Sequence, residues 1–562
     1  MSTSSYREFV PKFIHYLKGY NFRTLRKDLF SGVTVGVIAL PLAMAFAIAS
    51  GVLPERGLYT AIIAGFLISL LGGSRYQIGG PTGAFVVIIY DIMQRTGYSG
   101  LCLSVLIASI LLVLFGVFRL GSLIKFVPHP LITGFTSGIA VIIFSSQIKD
   151  FFGLKMGTVP ADFIEKWIAY ADSFTSFSPI TLAFGAGTFA FILCIRRFVP
   201  KIPWGIASIV VATCMSALFH LPVETIASRF GEIPRSLPLP HIPNLIVTGL
   251  NLQELFLDGI TIAFLAGIES LLSAVVADGM TGSRHRSNCE LIAQGIANFA
   301  SILFGGIPAT GAIARTAANI KMGAETPISG IIHALTLLLI MACMAPLVSL
   351  VPLSALAAVL FVIAWNMSEA HHFIRLLKAP IEDRLVLLSS FLLTVFVDIT
   401  IAIVFGMILA SFFFMKKMSV ISKTVCLTKL FQEKKGEFFE ERDPDSIHNK
   451  EIPSGVEVYE IQGPFFFGAA DMLRDLSSNW DKPPKVFILR MRFVPMIDAS
   501  GAHALKEFYE RCHKAKTTLL LSGIHGQSEK DLSTFGLDGL IGEKNIFPHI
   551  DLALVRAKEV QV

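Results

Sequence analysis

The chain has 562 residues, 53% of them hydrophobic and only 16% charged, with a mean hydropathy of +0.66 and a net charge of +6. So apolar a chain is excluded from the soluble globular class, and so mild a charge excludes a nucleic-acid binder. Its seven cysteines are scattered with no CxxC spacing, so neither a disulfide framework nor a metal site is expected.

Residues 1–27 form a basic arm, read as cytoplasmic, with no cleavable signal segment ahead of the first apolar run. From 28 to 420 the chain reads as a polytopic helical membrane domain. Fourteen apolar segments fall near 31–49, 57–72, 81–94, 98–118, 128–148, 179–195, 203–219, 254–276, 288–304, 308–320, 327–348, 353–374, 384–398 and 399–415. A full span needs about 20 residues. Pro41 interrupts the first segment, and the third and tenth are short, as helices broken inside a bilayer are. Placing the N-terminus inside leaves only Arg56, Arg95, Lys149, Lys155, Lys166, Arg229 and Arg235 in outer loops, with about three times as many basic residues in inner loops. Seven segments precede residue 220 and seven follow 254, so the halves have opposite orientation, a 7+7 inverted repeat with both termini cytoplasmic.

The third and tenth segments open on related motifs. One is Gly79-Gly80-Pro81-Thr82-Gly83-Ala84; the other is Gly305-Gly306-Ile307-Pro308-Ala309-Thr310-Gly311-Ala312. A matched pair of Gly/Pro-interrupted segments points to the binding site of a repeat-built transporter. Each reads as a helix whose N-terminus lies within the bilayer, where free N–H groups and the positive end of the dipole favour an anion. Proline belongs in the first turn of such a helix. That placement puts Arg315 two turns in, roughly 10 Å from the start, either adding charge to the anion site or pairing with a carboxylate.

Glu269, in the middle of the eighth segment, is the other ionisable residue at membrane depth, a functional candidate by default. It is read as a proton carrier or as a sodium ligand assisted by Ser273 at i+4. Asp28, Asp91, Asp258, Asp278 and Asp398 fall near segment ends and suit capping or solvated roles. His333 is expected to be a hydrogen-bonded core histidine, and Gln294 with Asn298 an interhelical hydrogen-bonding pair. Nothing in the chain assembles a nucleophile–base set, so no enzyme activity is expected.

Residues 421–451 read as a charged linker, and 452–562 as a small α/β domain. Its expected strands are 456–461, 465–467, 486–491 and 518–521; its helices are 469–479, 500–514, 529–535 and 549–558. Asp498 is the expected cap of the helix that carries Ser500.

In the order of these features, from Asp28-Leu29-Phe30-Ser31-Gly32 and Ile38-Ala39-Leu40-Pro41 through both proline motifs and Gly267-Ile268-Glu269-Ser270, the chain resembles the SulP (sulfate permease) anion transporter family, with a C-terminal STAS domain over 452–562. Stretches such as Val275-Val276-Ala277-Asp278-Gly279 and Ile313-Ala314-Arg315-Thr316 are similar to the bacterial dicarboxylate-uptake branch. The resemblance implies a moving core domain and a gate domain, a homodimer, and a small anion held by Thr82, Gly83, Ala84, Thr310, Gly311 and Ala312, with Arg315 close by. It implies secondary active transport of a C4-dicarboxylate (succinate, fumarate, aspartate) or sulfate. Sodium-coupled bicarbonate transport and an uncoupled channel or exchanger are the alternatives. Leu42 and Phe46 stand where many relatives have polar residues, so the pocket is expected to be less polar there. Glu269 and Ser273 replace the aspartate and threonine of the sodium-coupled branch, which favours a proton. No cofactor is implied beyond this coupling ion. Ser500 is the remaining hydroxyl of a Ser-Ser phosphorylation switch, and a regulatory protein on the STAS domain is a possible partner.

Overall fold

Each apolar run of the membrane region becomes a helix, because backbone in hydrocarbon must satisfy its own hydrogen bonds. The computed structural model describes residues 8–17, 19–122, 127–157, 159–199, 203–241, 251–421, 423–426, 450–466, 473 and 483–561. It divides into two compact units, Met1–Ala410 and Ser411–Val562.

The first unit contains α1 (Phe22–Ala49), α2 (Pro54–Leu71), β1 (Gly79–Gly80), α3 (Ala84–Val117), α4 (His129–Ser146), α5 (Phe163–Ser173), α6 (Pro179–Phe198) and α7 (Trp204–Leu218). It continues with α8 (Leu252–Thr281), α9 (Ser287–Leu303), β2 (Thr310–Gly311), α10 (Ile313–Lys321), α11 (Ile328–Ser349), α12 (Leu353–Met367) and α13 (Ile381–Phe396), and enters α14 (Ile399–Ile421). Asn21 caps α1 by accepting from Thr24 N at 2.9 Å. Contrary to the expected interruption, α1 runs through Pro41, which removes a single donor from an otherwise intact ladder. The third and fourth segments follow one another in α3, where two helices meet at a kink as Gly97 leaves helical geometry with φ 66°. α10 is nine residues long, in keeping with the short tenth segment. Among the described residues, nine helices are long and apolar enough to cross a bilayer. The amphipathic α5, with charged residues through its length, had no counterpart among the expected segments.

Packing sorts the helices into two groups. α1, α2, α3, α8, α9, α10 and α11 pack together as the core; α4, α6, α12 and α13 pack together as the gate. Small residues bring the core backbones close. A Cβ on Gly57 of α2 would lie 2.1 Å from the Ala43 carbonyl oxygen of α1, and one on Gly32 would lie 2.4 Å from that of Ser329. Gly57→Ala is therefore expected to push α1 from α2, costing about 1–3 kcal/mol. The check is a lower thermal midpoint and a smaller monodisperse fraction by size-exclusion chromatography; an unchanged midpoint refutes the close approach.

The second unit is built on a five-stranded sheet. β3 (Lys423–Cys426) pairs antiparallel with β4 (Val456–Gln462), and β5 (Val486–Phe493), β6 (Thr518–Ser522) and β7 (Ile546–Phe547) follow in parallel. β3 lies within the stretch read as linker. Alternation along β5 sends Phe487 and Leu489 to the face covered by α15 (Ala499–Lys514), and Val486 and Ile488 to the face covered by α18 (Ile550–Gln561). Between them lie α16 (Gln527–Thr534) and α17 (Leu537–Ile541). Phe465 forms one bridge, to Ile497, in place of a strand. The expected helix 469–479 falls outside the described residues except Leu473.

Candidate functional site

The two proline motifs meet. β1 and β2 pair antiparallel, Gly79 with Gly311 and Gly80 with Thr310, and Ala312 N donates to the Ile78 carbonyl at 2.9 Å. Glycine is required at this junction. Gly80 has φ 147°, with a Cβ position 2.7 Å from Arg315 Nη1, and a Cβ on Gly311 would fall 1.8 Å from Gln77 Nε2. Neither α3 nor α10 has a side-chain cap, so both present backbone donors beside this pair.

The strand pairing corrects the expected helix starts. Pro81 and Pro308 both precede their helices: after Pro308 the chain stays extended through the paired Thr310–Gly311, whereas Pro81 follows the paired Gly79–Gly80 and the chain turns through Thr82 and Gly83 into α3. α10 begins at Ile313, which puts Arg315 in its first turn. Arg315 is 3% exposed. Its Nη2 donates to the Pro81 carbonyl, and its Nη1 has no hydrogen-bond partner. Glu269 accepts from the Thr82 hydroxyl at 2.8 Å. It is electrostatically coupled to Arg315, but the structure records no ion pair between them. Two side chains of the second half thus hold consecutive residues of the first motif.

Thr82, Gly83 and Ala84 are buried together with Thr310, Gly311 and Ala312. The Thr310 hydroxyl donates to the Ala266 carbonyl at 2.8 Å, one turn before Glu269 and Ser270 on α8. A Cβ on Gly83 would meet Met367 Sδ at 2.9 Å, Ile143 Cδ1 at 3.2 Å and Phe46 Cε1 at 3.3 Å. The start of α3 therefore faces gate residues from α12 and α4, and Phe46 makes its α1 side apolar. Ser273 does not join Glu269; its hydroxyl donates to Thr316 Oγ1 at 3.0 Å.

Behind the site lies a buried polar scaffold in which Gln294 and Asn298 bond beyond their own helix as expected and Glu290 was missed. Glu290 is fully buried and accepts from Gly73 N (2.8 Å), Ser74 N (3.0 Å), Gln294 Nε2 (3.1 Å) and Ser270 Oγ (3.3 Å). Ser270 also accepts from Gln77 Nε2 at 2.6 Å. Asn298 accepts from Ala309 N at 2.7 Å and donates to its carbonyl at 2.8 Å, locking the approach to β2. The carboxyl-amide spacing of Glu290 and Gln294, four residues apart in an apolar run, was the available signal.

Asp28 accepts from Glu325 N (2.7 Å) and Thr326 N (3.1 Å), fixing the α10–α11 turn. Asp91 and Asp258 share Arg95, Asp278 meets His285 Nδ1 at 2.7 Å, and Asp398 accepts from Thr400 N at 3.1 Å. His333 departs from expectation: it is buried, yet neither ring nitrogen has a hydrogen-bond partner, its ring filling the space beside Gly65. In the second unit Asp498 caps α15 by accepting from Gly501 N at 2.7 Å, and Ser500 is exposed in the first turn.

Comparisons agree with this architecture. The family model described as the sulfate permease family matches residues 25–390, and the STAS domain model matches 448–553. The chain is 41% identical to the putative sulfate transporter YvdB of Bacillus subtilis, covering 96% of this chain and 99% of that one. It is 29% identical to the bicarbonate transporter BicA of Picosynechococcus, covering 92% of each. The solved transmembrane domain of a cyanobacterial BicA superposes with TM-score 0.61 at 34% identity, covering 68% of this chain and 98% of that one. The murine Slc26a9 anion transporter in its inward-facing state gives TM-score 0.85 over 100% of this chain and 95% of its own, at 18% identity, a likeness of fold. With a match across most of the membrane region and a relative this similar end to end, the chain is an integral membrane protein that belongs to the sulfate permease family and carries a C-terminal STAS domain.

Proposed function

We propose that this protein is a secondary active transporter that carries a small oxyanion with a proton by alternating access. The observation that carries the reading is the pair of uncapped helix starts joined through β1 and β2, with Arg315 in the first turn of one and Glu269 on the Thr82 hydroxyl of the other. Two helix ends of about half a unit charge each, with Arg315, balance a mono- or divalent anion. The anion is taken to be a C4-dicarboxylate or sulfate. Glu269 binds the driving proton, and its protonation removes a negative charge beside the anion. The N- and C-termini are placed in the cytoplasm of a bacterial cell, with the chain as a homodimer and the STAS domain a docking point for a regulatory protein.

Sodium-coupled bicarbonate transport is the second reading, favoured by full-length similarity to proteins named bicarbonate transporters. Against it, Glu269 and Ser273 stand where the sodium-coupled branch that this chain resembles has aspartate and threonine. The deciding experiment is uptake of labelled sulfate, bicarbonate, succinate and fumarate into proteoliposomes, with and without sodium and with an imposed pH gradient. Accumulation driven by the pH gradient without sodium supports proton symport. A strict sodium requirement for bicarbonate supports the second reading, and non-saturating flux of all four anions supports a channel.

A further inference from the structure

A cavity of about 1040 Å³ opens along the seam between the core and gate helices of the first unit. It reaches Val86 and Val87 in the first turn of α3, but the six motif residues do not line it. Its wall carries four cationic side chains, and three of them are engaged. Arg95 binds Asp91 at 2.6 Å and Asp258 at 3.0 Å, with Glu254 at 3.7 Å. Arg229 binds Asp150 at 2.6 Å and also Glu224. Lys149 donates to the Gly157 carbonyl at 2.7 Å.

The fourth is Lys166 on α5. It is 3% exposed, and among the described residues its ammonium makes no hydrogen bond and no ion pair. Its Nζ lies 5.8 Å from the centre of the Tyr90 ring on α3. Asp162, one turn earlier, is occupied capping α5 through Ile164 N and Glu165 N. One turn later on the same helical face, the buried Tyr170 hydroxyl also lacks a partner. A buried ammonium without a counter-ion is costly, and packing alone would be better served by an apolar side chain of similar length. Tyr90 is six residues, roughly 9 Å, along α3 from its start.

We propose that Lys166 is a second anion station, a capture site for a carboxylate or sulfate group that an entering anion occupies before it reaches the start of α3. The proposal rests on the transport reading for its role and on the wall geometry for its existence. Its pH sign follows from the surroundings. Burial lowers the Lys166 ammonium to about 8, with nearby Asp162 opposing the shift. The other groups of this wall are the ion-paired carboxylates, Asp398 on its Thr400 amide, the exposed Glu165 and the phenol of Tyr90, with Tyr170 one turn from Lys166 behind it; carboxylates ordinarily titrate near 4 and phenols near 10. Capture is therefore strong at neutral pH and fades as pH rises through about 8.

The test is competitive reductive methylation of the full-length protein in detergent near pH 8 at constant ionic strength, read by peptide mapping, with sulfate or succinate as the probe. Methylation of Lys166 is expected to slow several-fold and saturably with the probe, while the exposed Lys155 is unaffected. In proteoliposomes, Lys166→Met is expected to raise the KM for the transported anion about tenfold and to lose the rise in KM above pH 8, whereas Lys166→Arg keeps the low KM at high pH. Absent or unsaturable protection of Lys166, or a Lys166→Met KM and pH profile equal to wild type, overturns the station. If wild type takes up none of the anions, the transport reading fails, and the protection experiment still decides whether the station exists.

Discussion

Glu269→Gln is expected to abolish pH-driven accumulation while leaving the protein able to bind its anion. Glutamine preserves the shape of the side chain and still accepts from the Thr82 hydroxyl, which Glu269 does at 2.8 Å. What it removes is the titration. With Glu269 ionised, a negative charge lies beside the start of α3; at about 6 Å and an effective dielectric of about 20, it opposes an anion by about 3 kcal/mol, roughly a hundredfold in affinity. Protonation lifts that opposition, so a proton and an anion bind with positive linkage. The glutamine variant is fixed in the proton-loaded electrostatic state. Its KM should stay low and flat with pH, and its steady-state accumulation should fall to the ratio set by the anion's own gradient. Wild type should gain up to about tenfold per coupled proton per pH unit. Liposome uptake under an imposed pH gradient, compared with one-for-one anion exchange at uniform pH, separates the two effects. Concentrative uptake by Glu269→Gln at the wild-type level would remove this residue from the coupling step.

Arg315→Met is expected to raise the KM about a hundredfold, because the anion loses a full positive charge in the first turn of α10. Arg315→Lys should recover only part of this: a shorter, compact ammonium cannot hold the Pro81 carbonyl and also present a second donor as Arg315 Nη1 does. A purely structural arginine makes a different forecast. Removing it takes a favourable positive charge away from the partly buried Glu269, so folded yield would fall while surviving molecules keep the wild-type KM. The pair Arg315→Met with Glu269→Gln discriminates further. If the two groups are coupled, the double variant should recover melting temperature relative to Arg315→Met, with an interaction energy of about 0.5–3 kcal/mol, and its KM should remain high. A normal KM in the double variant would deny Arg315 a direct effect on the anion.

These forecasts depend on features of unequal legibility. The helical segments could be read because hydrocarbon permits few alternatives for an apolar run. The amphipathic α5 was harder, since a charged surface helix leaves a weak periodic signal. The half-helix entrances were legible from the repeated Gly-Pro motifs, but their register was not. Proline within a helix-forming run reads as a first-turn residue, and only the long-range pairing of Thr310–Gly311 with Gly79–Gly80 shows that the chain stays extended past Pro308. That shift of register carries Arg315 from two turns deep to the first turn. Glu290 was passed over because a carboxylate near a segment start looks solvated; its burial depends on Gly73, Ser74, Gln294 and Ser270, which no local window contains.

Local chemistry in the sequence determined that this protein spans a membrane, and it pointed to two interrupted helices as the candidate site with Glu269 and Arg315 as the ionisable groups to weigh, because each judgement needs only residue type, depth and spacing. The tertiary structure alone decided what those groups touch. Glu269 and Arg315 both reach from the second half onto Pro81 and Thr82 of the first, Ser273 turns to Thr316, and the Lys166 ammonium in the cavity wall has no hydrogen bond or ion pair among the described residues. Such contacts join residues some 40 to 230 positions apart in the chain, and their free energy arises from packing and burial that no single segment encodes.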